Sequence, residues 1–419
     1  MKLSVTGLGY IGLPTALLFA SKGIEVTGVD VNEAVVEKLN NKELHIEENG
    51  LQQLLEQTVD SNNFKASTAV EQSDYYIIAV PTPHLLDNSC DVSYLKDAIM
   101  KLKNVIKNGD TIIVESTIGP RTMEDIVQPM IESFGYTVGK DVYLAHCPER
   151  VLPGKIIHEM IHNNRIIGGI TEACTKKAIE LYKKLVHGKL LETKASTAEM
   201  SKLMENTYRD VNIALANELV KISEKLNINA LDVIKLANEH PRVNIHLPGP
   251  GVGGHCLAVD PYFIVASDPE NSELIANARK INNSMPKFVI EKVKKIMDSI
   301  QGKKITVLGL TYKGNIDDIR ESPALDIYHE LKLKSNYEVV AQDSHVQLDW
   351  VENNIEKSLE NSDLALVLTD HNEYKELAKF ISGTMKQNVV FDTKNIVVNT
   401  KDIQYYNFNN LYQLSEVNI

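Results

Sequence analysis

The sequence opens on Lys2-Leu-Ser-Val-Thr6, a short strand-forming run, and passes at once into Gly7-Leu-Gly9-Tyr10-Ile11-Gly12. A helical stretch from Leu13 to Lys22 follows, then a second strand-like run, Ile24 to Val29, that ends on Asp30. A lone G-x-G-x-x-G says little. With a strand before it, a helix after it and an acid about 20 residues on, it marks the start of the chain as a dinucleotide-binding unit. Gly7 makes the tight turn, Gly9 lets backbone approach a pyrophosphate, and Gly12 lets helix and strand pack closely. Tyr10 and Ile11 belong to the same turn and count with the cofactor site. The phosphate charge meets the helix N-terminus. Asp30 accepts from a ribose hydroxyl and repels a ribose phosphate, which favours NAD over NADP.

Two further apolar strands, Tyr75 to Val80 and Thr111 to Val114, stop in Pro81-Thr82-Pro83 and Glu115-Ser116-Thr117. In an open parallel sheet such turns lie at the carboxyl ends of strands, where ligands bind. Thr82 and Thr117 therefore either line the nicotinamide end of the cofactor or merely cap the next helix. A strand from Tyr143 to His146 runs into Cys147-Pro-Glu149-Arg150-Val151-Leu-Pro-Gly154 at the same edge. An arginine there, in a chain of net charge −12, suits a phosphate or a carboxylate.

From Ser196 to about Asn227 the spacing predicts one long helix, with Ser196 and Glu199 as a capping box. Met200, Leu203, Ile213, Ala216, Leu219, Val220 and Ile222 are its apolar positions. Lys202, Asn206 and Arg209, with Asp210 alongside, form a polar stripe that reads equally as a solvated face or a site. Helical pattern continues over Ala230 to Asn238, Ser272 to Ser284 and Lys287 to Ile300. Between them lies Gly249-Pro-Gly-Val-Gly-Gly-His-Cys-Leu-Ala-Val-Asp260, with four glycines and a proline in six residues. That composition excludes helix and strand interior. The loop ends on a thiol, Cys256, beside His255 and four residues before Asp260. It holds either a nucleophile with a base at hand or a small apolar cysteine after a turn.

Lys304-Ile-Thr-Val-Leu-Gly309 repeats the opening pattern, and Tyr337 to Ala341, Leu364 to Leu368 and Val389 to Phe391 add strands. The third fingerprint glycine is missing, so a nucleotide sugar or mononucleotide suits this unit better than a second dinucleotide. Lys313 and Arg320 stand at its first turn. At 419 residues the chain needs two or three domains. The expected fold is α/β, two doubly wound Rossmann-like domains joined by a central helical region with one long helix. No basic stripe is present for nucleic acid and no apolar run is long enough for a membrane span. Four scattered cysteines and no leader pattern point to a reduced, cytoplasmic setting.

Taken together, the Gly7–Gly12 turn, the Cys147-Pro-Glu-Arg segment, the Glu199 to Asn217 helix, the Gly251 to Asp260 loop and the Lys313/Arg320 pair resemble the UDP-sugar 6-dehydrogenase family. The match covers essentially the whole chain in order. It implies an NAD-binding domain over 1–195, a helical dimerisation region with the thiol loop over 196–300, and a UDP-sugar-binding domain over 301–419. It also implies a four-electron oxidation of a primary alcohol through a thiohemiacetal and a thioester on Cys256. Lys202 and Asn206 would hold the oxyanion, Asp260, Glu149 and Thr117 would serve the hydrolytic water, and Arg320 would touch NAD. Arg150, Val151, Lys202, Asn206, Arg209, Arg242, Gly253, Tyr312 and Lys313 would hold the sugar nucleotide, with Arg242 reaching across a homodimer.

The segments Cys147 to Gly154 and His240 to His246 resemble the branch acting on UDP-N-acetyl-D-mannosamine. UDP-glucose enzymes usually carry phenylalanine where Arg150 stands, and UDP-glucose and UDP-N-acetylglucosamine are the alternative substrates. The family's basic residue shortly after Asp30 is replaced by Val31, Asn32 and Val35. Cys90, in the loop after Pro83, is a candidate for a regulatory disulfide with Cys256.

Overall fold

The computed structural model describes residues 1–152, 154–254 and 256–416, with 415 and 416 by backbone alone. Contacts divide it into two compact units, Met1–Glu205 with Ala266–Asp268, and Asn206–Val265 with Pro269–Ile419.

The first unit is built on eight strands, β1 Lys2–Thr6, β2 Glu25–Val29, β3 Phe64–Ser67, β4 Tyr75–Ile78, β5 Thr111–Val114, β6 Tyr143–His146, β7 Arg165–Gly169 and β8 Leu190–Lys194. Their order is β3-β2-β1-β4-β5-β6-β7-β8. All neighbours are parallel except β6 and β7, which pair antiparallel with Ala145 opposite Gly169. Helices cover the faces, so β4 and β5 are buried at every residue and read as continuous apolar runs. The helix Gly12–Ser21 is buried nearly all round and packs Leu13, Leu17 and Phe19 into the core with Leu3, Val5 and Val26.

The second unit carries β9 Lys304–Leu308, β10 Glu338–Gln342, β11 Val351–Glu352, β12 Leu364–Val367, β13 Val389–Asp392 and β14 Gln404–Asn407. The order is β11-β10-β9-β12-β13-β14, parallel throughout. Its core joins Val307, Leu366 and Phe391 to Val289, Val293 and Ile296 of the helix Met285–Ser299. Both sheets follow the doubly wound pattern in which strand order reverses beside the first strand, and ligands bind at that reversal.

The long helix runs Ala195–Leu226, and two details differ from expectation. It starts directly from β8, so Ser196 is its second residue and cannot cap it. The Ser196 hydroxyl instead donates to Glu124 Oε1 at 2.9 Å. Glu199 turns away to accept from the backbone N–H groups of Arg121 and Met123, at the start of the helical turn Met123–Val127. Met200 and Ile222, two of the apolar positions read from the sequence, are exposed, as are Met204, Tyr208, Leu215 and Leu226. These six recur every four or seven residues along the helix, which makes an apolar stripe facing outward. Among the described residues no helix is long and apolar enough to cross a membrane.

Candidate active site

In the first unit the glycine turn is closed by contact and left open at one point. Gly7 has φ +91°, and a Cβ on it would lie 2.6 Å from the Ala79 carbonyl oxygen. A Cβ on Gly12 would lie 1.8 Å from the Gly7 oxygen, whereas one on Gly9 would meet nothing within 4 Å. That space adjoins the start of the helix Gly12–Ser21, which has no side-chain cap. The Asp30 carboxylate, partly exposed at the end of β2, accepts from Leu8 N and Asn32 N, each at 3.0 Å. Open space, uncapped N–H groups and a ribose-reading acid together fit a dinucleotide. Tyr10 is exposed and Ile11 half-buried at the same turn. His45, which no motif marked, reaches Leu8 O through Nε2 at 2.9 Å and braces the turn.

Along the carboxyl edge of this sheet, Thr82 donates its hydroxyl to the Thr117 carbonyl at 2.5 Å, which joins the turns after β4 and β5. Neither threonine caps a helix, since the next helices begin at Ser93 and Met123 with no side-chain cap. Glu149 is nearly buried, accepts from Arg150 N at 2.7 Å and pairs with Arg165 at 2.6 Å. The other arm of Arg165 pairs with Glu115, which also accepts from Tyr182 and Thr15. Burial pushes Glu115 upward from its ordinary pKa, with Arg165 opposing and Glu149 adding to the rise. Burial also raises the Cys147 thiol and pushes His146 down to about 3, so both are neutral. The Arg150 guanidinium meets Glu205 at 2.7 Å and also donates to Asn164 O. Val151 packs against the core.

The second unit brings the thiol loop against the first turn of its own sheet. A Cβ on Gly253 would lie 2.3 Å from Glu321 O and 2.9 Å from Tyr312 Cβ, and Gly254 N donates to Arg320 O at 3.2 Å. Only glycine lets backbone run this close. Cys256, partly exposed, then turns into the helix Asp260–Ser267 by accepting from Val259 N and Asp260 N. Burial, with Asp318 and Cys256 nearby, pushes the Tyr312 hydroxyl upward. Asp260 is buried and accepts from Asn206 Nδ2 at 2.6 Å. Cys256, Asp260, Asn206, Gly253 and Tyr312 are thus gathered in one unit. His255 lies outside the described residues, as does Pro153.

The remaining candidates differ in exposure and in what holds them. Lys202, one helical turn before Asn206, is half-buried and has no ion pair among the described residues. Asp210 leaves the expected stripe and is buried against Arg279 at 2.6 Å and Asn282 at 2.8 Å. Arg209 is exposed near His246, whose pKa it helps burial to lower. Arg242 is exposed in a loop tied off by Asn238, which bonds both N and O of Ile245. Lys313 is exposed, and Arg320 folds onto Asp318 at 2.6 Å. Cys90 and Cys256 are both thiols rather than a disulfide. The second sheet also shows why it suits no second dinucleotide. Asp343 accepts from Leu310 N at 2.8 Å, as Asp30 does from Leu8 N, but it is fully buried under His371. A ribose cannot reach it.

Comparison with known proteins covers the whole chain. Residues 1–186, 196–284 and 306–399 match, in turn, the NAD binding, central and UDP binding domains of the UDP-glucose/GDP-mannose dehydrogenase family. A UDP-N-acetyl-D-mannosamine dehydrogenase of Methanocaldococcus jannaschii is 46% identical over 405 residues, 94% of this chain and 92% of its own. An NDP-N-acetyl-D-galactosaminuronic acid dehydrogenase of Ralstonia solanacearum is 42% identical over 94% of this chain and 95% of its own. The structure of Cap5O, a UDP-N-acetyl-mannosamine dehydrogenase from S. aureus, superposes with a TM-score of 0.94 at 56% identity, over 99% of this chain and 100% of that one.

Proposed function

This chain belongs to the UDP-glucose/GDP-mannose dehydrogenase family, and we propose that it oxidises carbon 6 of UDP-N-acetyl-D-mannosamine from alcohol to carboxylate. The observation that carries this reading is the set Asn206, Asp260 and Cys256 held together beneath the glycine loop. A simple two-electron alcohol dehydrogenase has no use for a thiol there. The balance is R–CH2OH + 2 NAD+ + H2O → R–COO− + 2 NADH + 3 H+. NAD, when bound, supplies the hydride acceptor for both oxidations.

The protein's own groups do the rest. Lys202 takes the alcohol proton, and its ammonium with the Asn206 amide holds the oxyanion that develops. The Cys256 thiolate adds to the aldehyde carbon, forming a C–S bond. Loss of the second hydride from that carbon leaves a thioester. Water then breaks the C–S bond and returns the thiolate, with Asp260, Glu149 and Thr117 orienting the water or taking its proton. Arg150, Val151, Arg209, Arg242, Gly253, Tyr312 and Lys313 hold the sugar nucleotide, and Arg320 reaches the cofactor. Arg150 supplies donors for an N-acetyl carbonyl at a position where UDP-glucose enzymes are apolar. The outward apolar stripe of the long helix supports a homodimer, since an exposed patch of that kind marks an association surface. A nucleotide sugar and NAD, both charged and unable to cross a bilayer unaided, place the reaction in the cytoplasm. Its acidic sugar product suits the building of surface polysaccharide.

An end-point count tests the reading: limiting UDP-N-acetyl-D-mannosamine, excess NAD, and NADH measured by absorbance. Two NADH per sugar is expected. One per sugar means that aldehyde is released and overturns the role of Cys256. None with this sugar and two with UDP-glucose or a UDP-N-acetylhexosamine moves the substrate and leaves the chemistry.

A further inference from the structure

β7 runs antiparallel to β6, and that reversal delivers a cation to the carboxyl edge of an otherwise parallel neighbourhood. Ala145 faces Gly169 and His146 faces Gly168, and the same register continued outward sets Glu149 against Arg165, the first residue of β7. The contact is made: Arg165 NH1 lies 2.6 Å from Glu149 Oε2 while NH2 lies 2.5 Å from Glu115 Oε1. Side-chain exposure is 7% for Arg165, 9% for Glu149 and none for Glu115. Tyr182 donates to the same Glu115 oxygen at 2.5 Å and lies under the guanidinium, 4.4 Å from ring centre to Cζ. Thr15 donates to Oε2 at 3.2 Å. Cys147 and His146, on the strand and turn that lead to Glu149, are neutral. Arg150, on its other side, is paired with Glu205.

Two carboxyl groups share one buried guanidinium, one acid more than an architectural pair needs. We propose that Arg165 and Glu115 are positioning residues for Glu149: the guanidinium fixes the Glu149 carboxylate in one orientation for its work on the water while dividing its charge between Glu149 and Glu115. A guanidinium devoted to Glu149 alone would hold it firmly but make it a weak base. Glu115 draws part of that charge away. The inference rests on the reading of Glu149 as a group that serves the hydrolytic water.

The experiment is the pH dependence of kcat for full-length Glu115→Gln, Arg165→Lys and Glu149→Gln proteins with the sugar nucleotide and NAD. Glu115→Gln keeps the shape and removes one charge, so the acid limb of kcat moves down by about 1 pH unit and the plateau falls several-fold, with both KM values held within about twofold. Arg165→Lys, which cannot bridge two carboxylates, moves the limb up and lowers kcat by about 10- to 100-fold. Tyr182→Phe removes one donor from Glu115 and no charge. Glu115 then leans harder on Arg165 and leaves less of it to Glu149, so the limb moves up, opposite to Glu115→Gln, and this variant serves if that one does not fold. An unmoved limb in both Glu115→Gln and Tyr182→Phe overturns the proposal. Glu149→Gln separates the two ideas: full turnover in that variant removes Glu149 from the reaction, whereas its loss beside an unmoved limb sinks the positioning role alone.

Discussion

Asn206 Nδ2 lies 2.6 Å from Oδ2 of Asp260, and both side chains are buried. The long helix thereby fixes the first residue of the helix that follows the thiol loop, so Cys256, four residues before it, inherits its position from a bond that spans 54 residues of sequence. Removing one donor to a buried carboxylate costs about 1.5–3 kcal/mol, and losing an oxyanion donor lowers kcat by about 10²- to 10³-fold. Asn206→Ala is expected to do both, read by thermal midpoint and by initial rate. Asp260→Asn should keep the bond yet slow hydrolysis, so that intact mass spectrometry finds the sugar nucleotide acylated on Cys256.

The fingerprint glycines separate by what a methyl group would meet. At Gly9 it meets nothing, so Gly9→Ala folds normally, with a thermal midpoint within about 1 °C of the parent. The same methyl takes space beside the helix start that a pyrophosphate would use. KM for NAD should rise about tenfold or more, since each 1.4 kcal/mol of lost binding is tenfold. At Gly12 the methyl would lie 1.8 Å from a backbone oxygen, and Gly12→Ala should lose folded protein outright.

The opening turn was legible because all its parts are adjacent: strand, glycines, helix and acid fall within 30 residues. The polar clusters that brace the site were not. Glu115, Glu149 and Arg165 meet only because β7 reverses, and no local pattern announces a reversed strand. β8, Leu-Leu-Glu-Thr-Lys, is an edge with mostly exposed or half-exposed residues and lacks the apolar run that betrays a buried strand. The capping box failed at Ser196 because a strand feeds the helix directly, and Glu199 found two unpaired N–H groups elsewhere. Periodicity marked the long helix and grouped buried Leu203, Ala216 and Val220 with exposed Met200 and Ile222. It could not tell a core-facing stripe from one that faces outward, since both repeat every three or four residues.

Asp210 and Arg279 form a second buried pair, with Asn282 donating to the same carboxylate oxygen and Asn217 linking Asn282 to Gly249 N. Breaking such a pair on one side strands a charge at a cost of about 3–5 kcal/mol, while replacing both partners can be close to neutral. Arg279→Met alone should therefore lower the thermal midpoint sharply. The double variant Asp210→Asn with Arg279→Met should recover more than half of the loss. Equal midpoints for single and double variants would mean that packing, not charge, makes the site fragile.

Glu199, read from the sequence as half of a capping box, supplies a pH signature instead. Its carboxyl is fully buried, and burial pushes its pKa up to about 7, with Glu124 and Asp125 adding to the rise and the N–H groups of Met123 and Arg121 opposing it. An unfolded glutamate titrates near 4.3. Between these values the folded chain holds a proton that the unfolded chain has released, so stability falls as pH rises through the window. The loss amounts to about 4 kcal/mol and is complete above about pH 8, since each pH unit in the window is worth about 1.4 kcal/mol. Glutamine resembles the protonated acid and does not titrate. Urea midpoints of the parent and Glu199→Gln should coincide near pH 4 and diverge by pH 8, the variant then being the more stable. Parallel curves across that range would show that the two backbone donors hold Glu199 ionised throughout, and that the tie between the long helix and the Met123 turn is an ion–dipole contact rather than a neutral hydrogen bond.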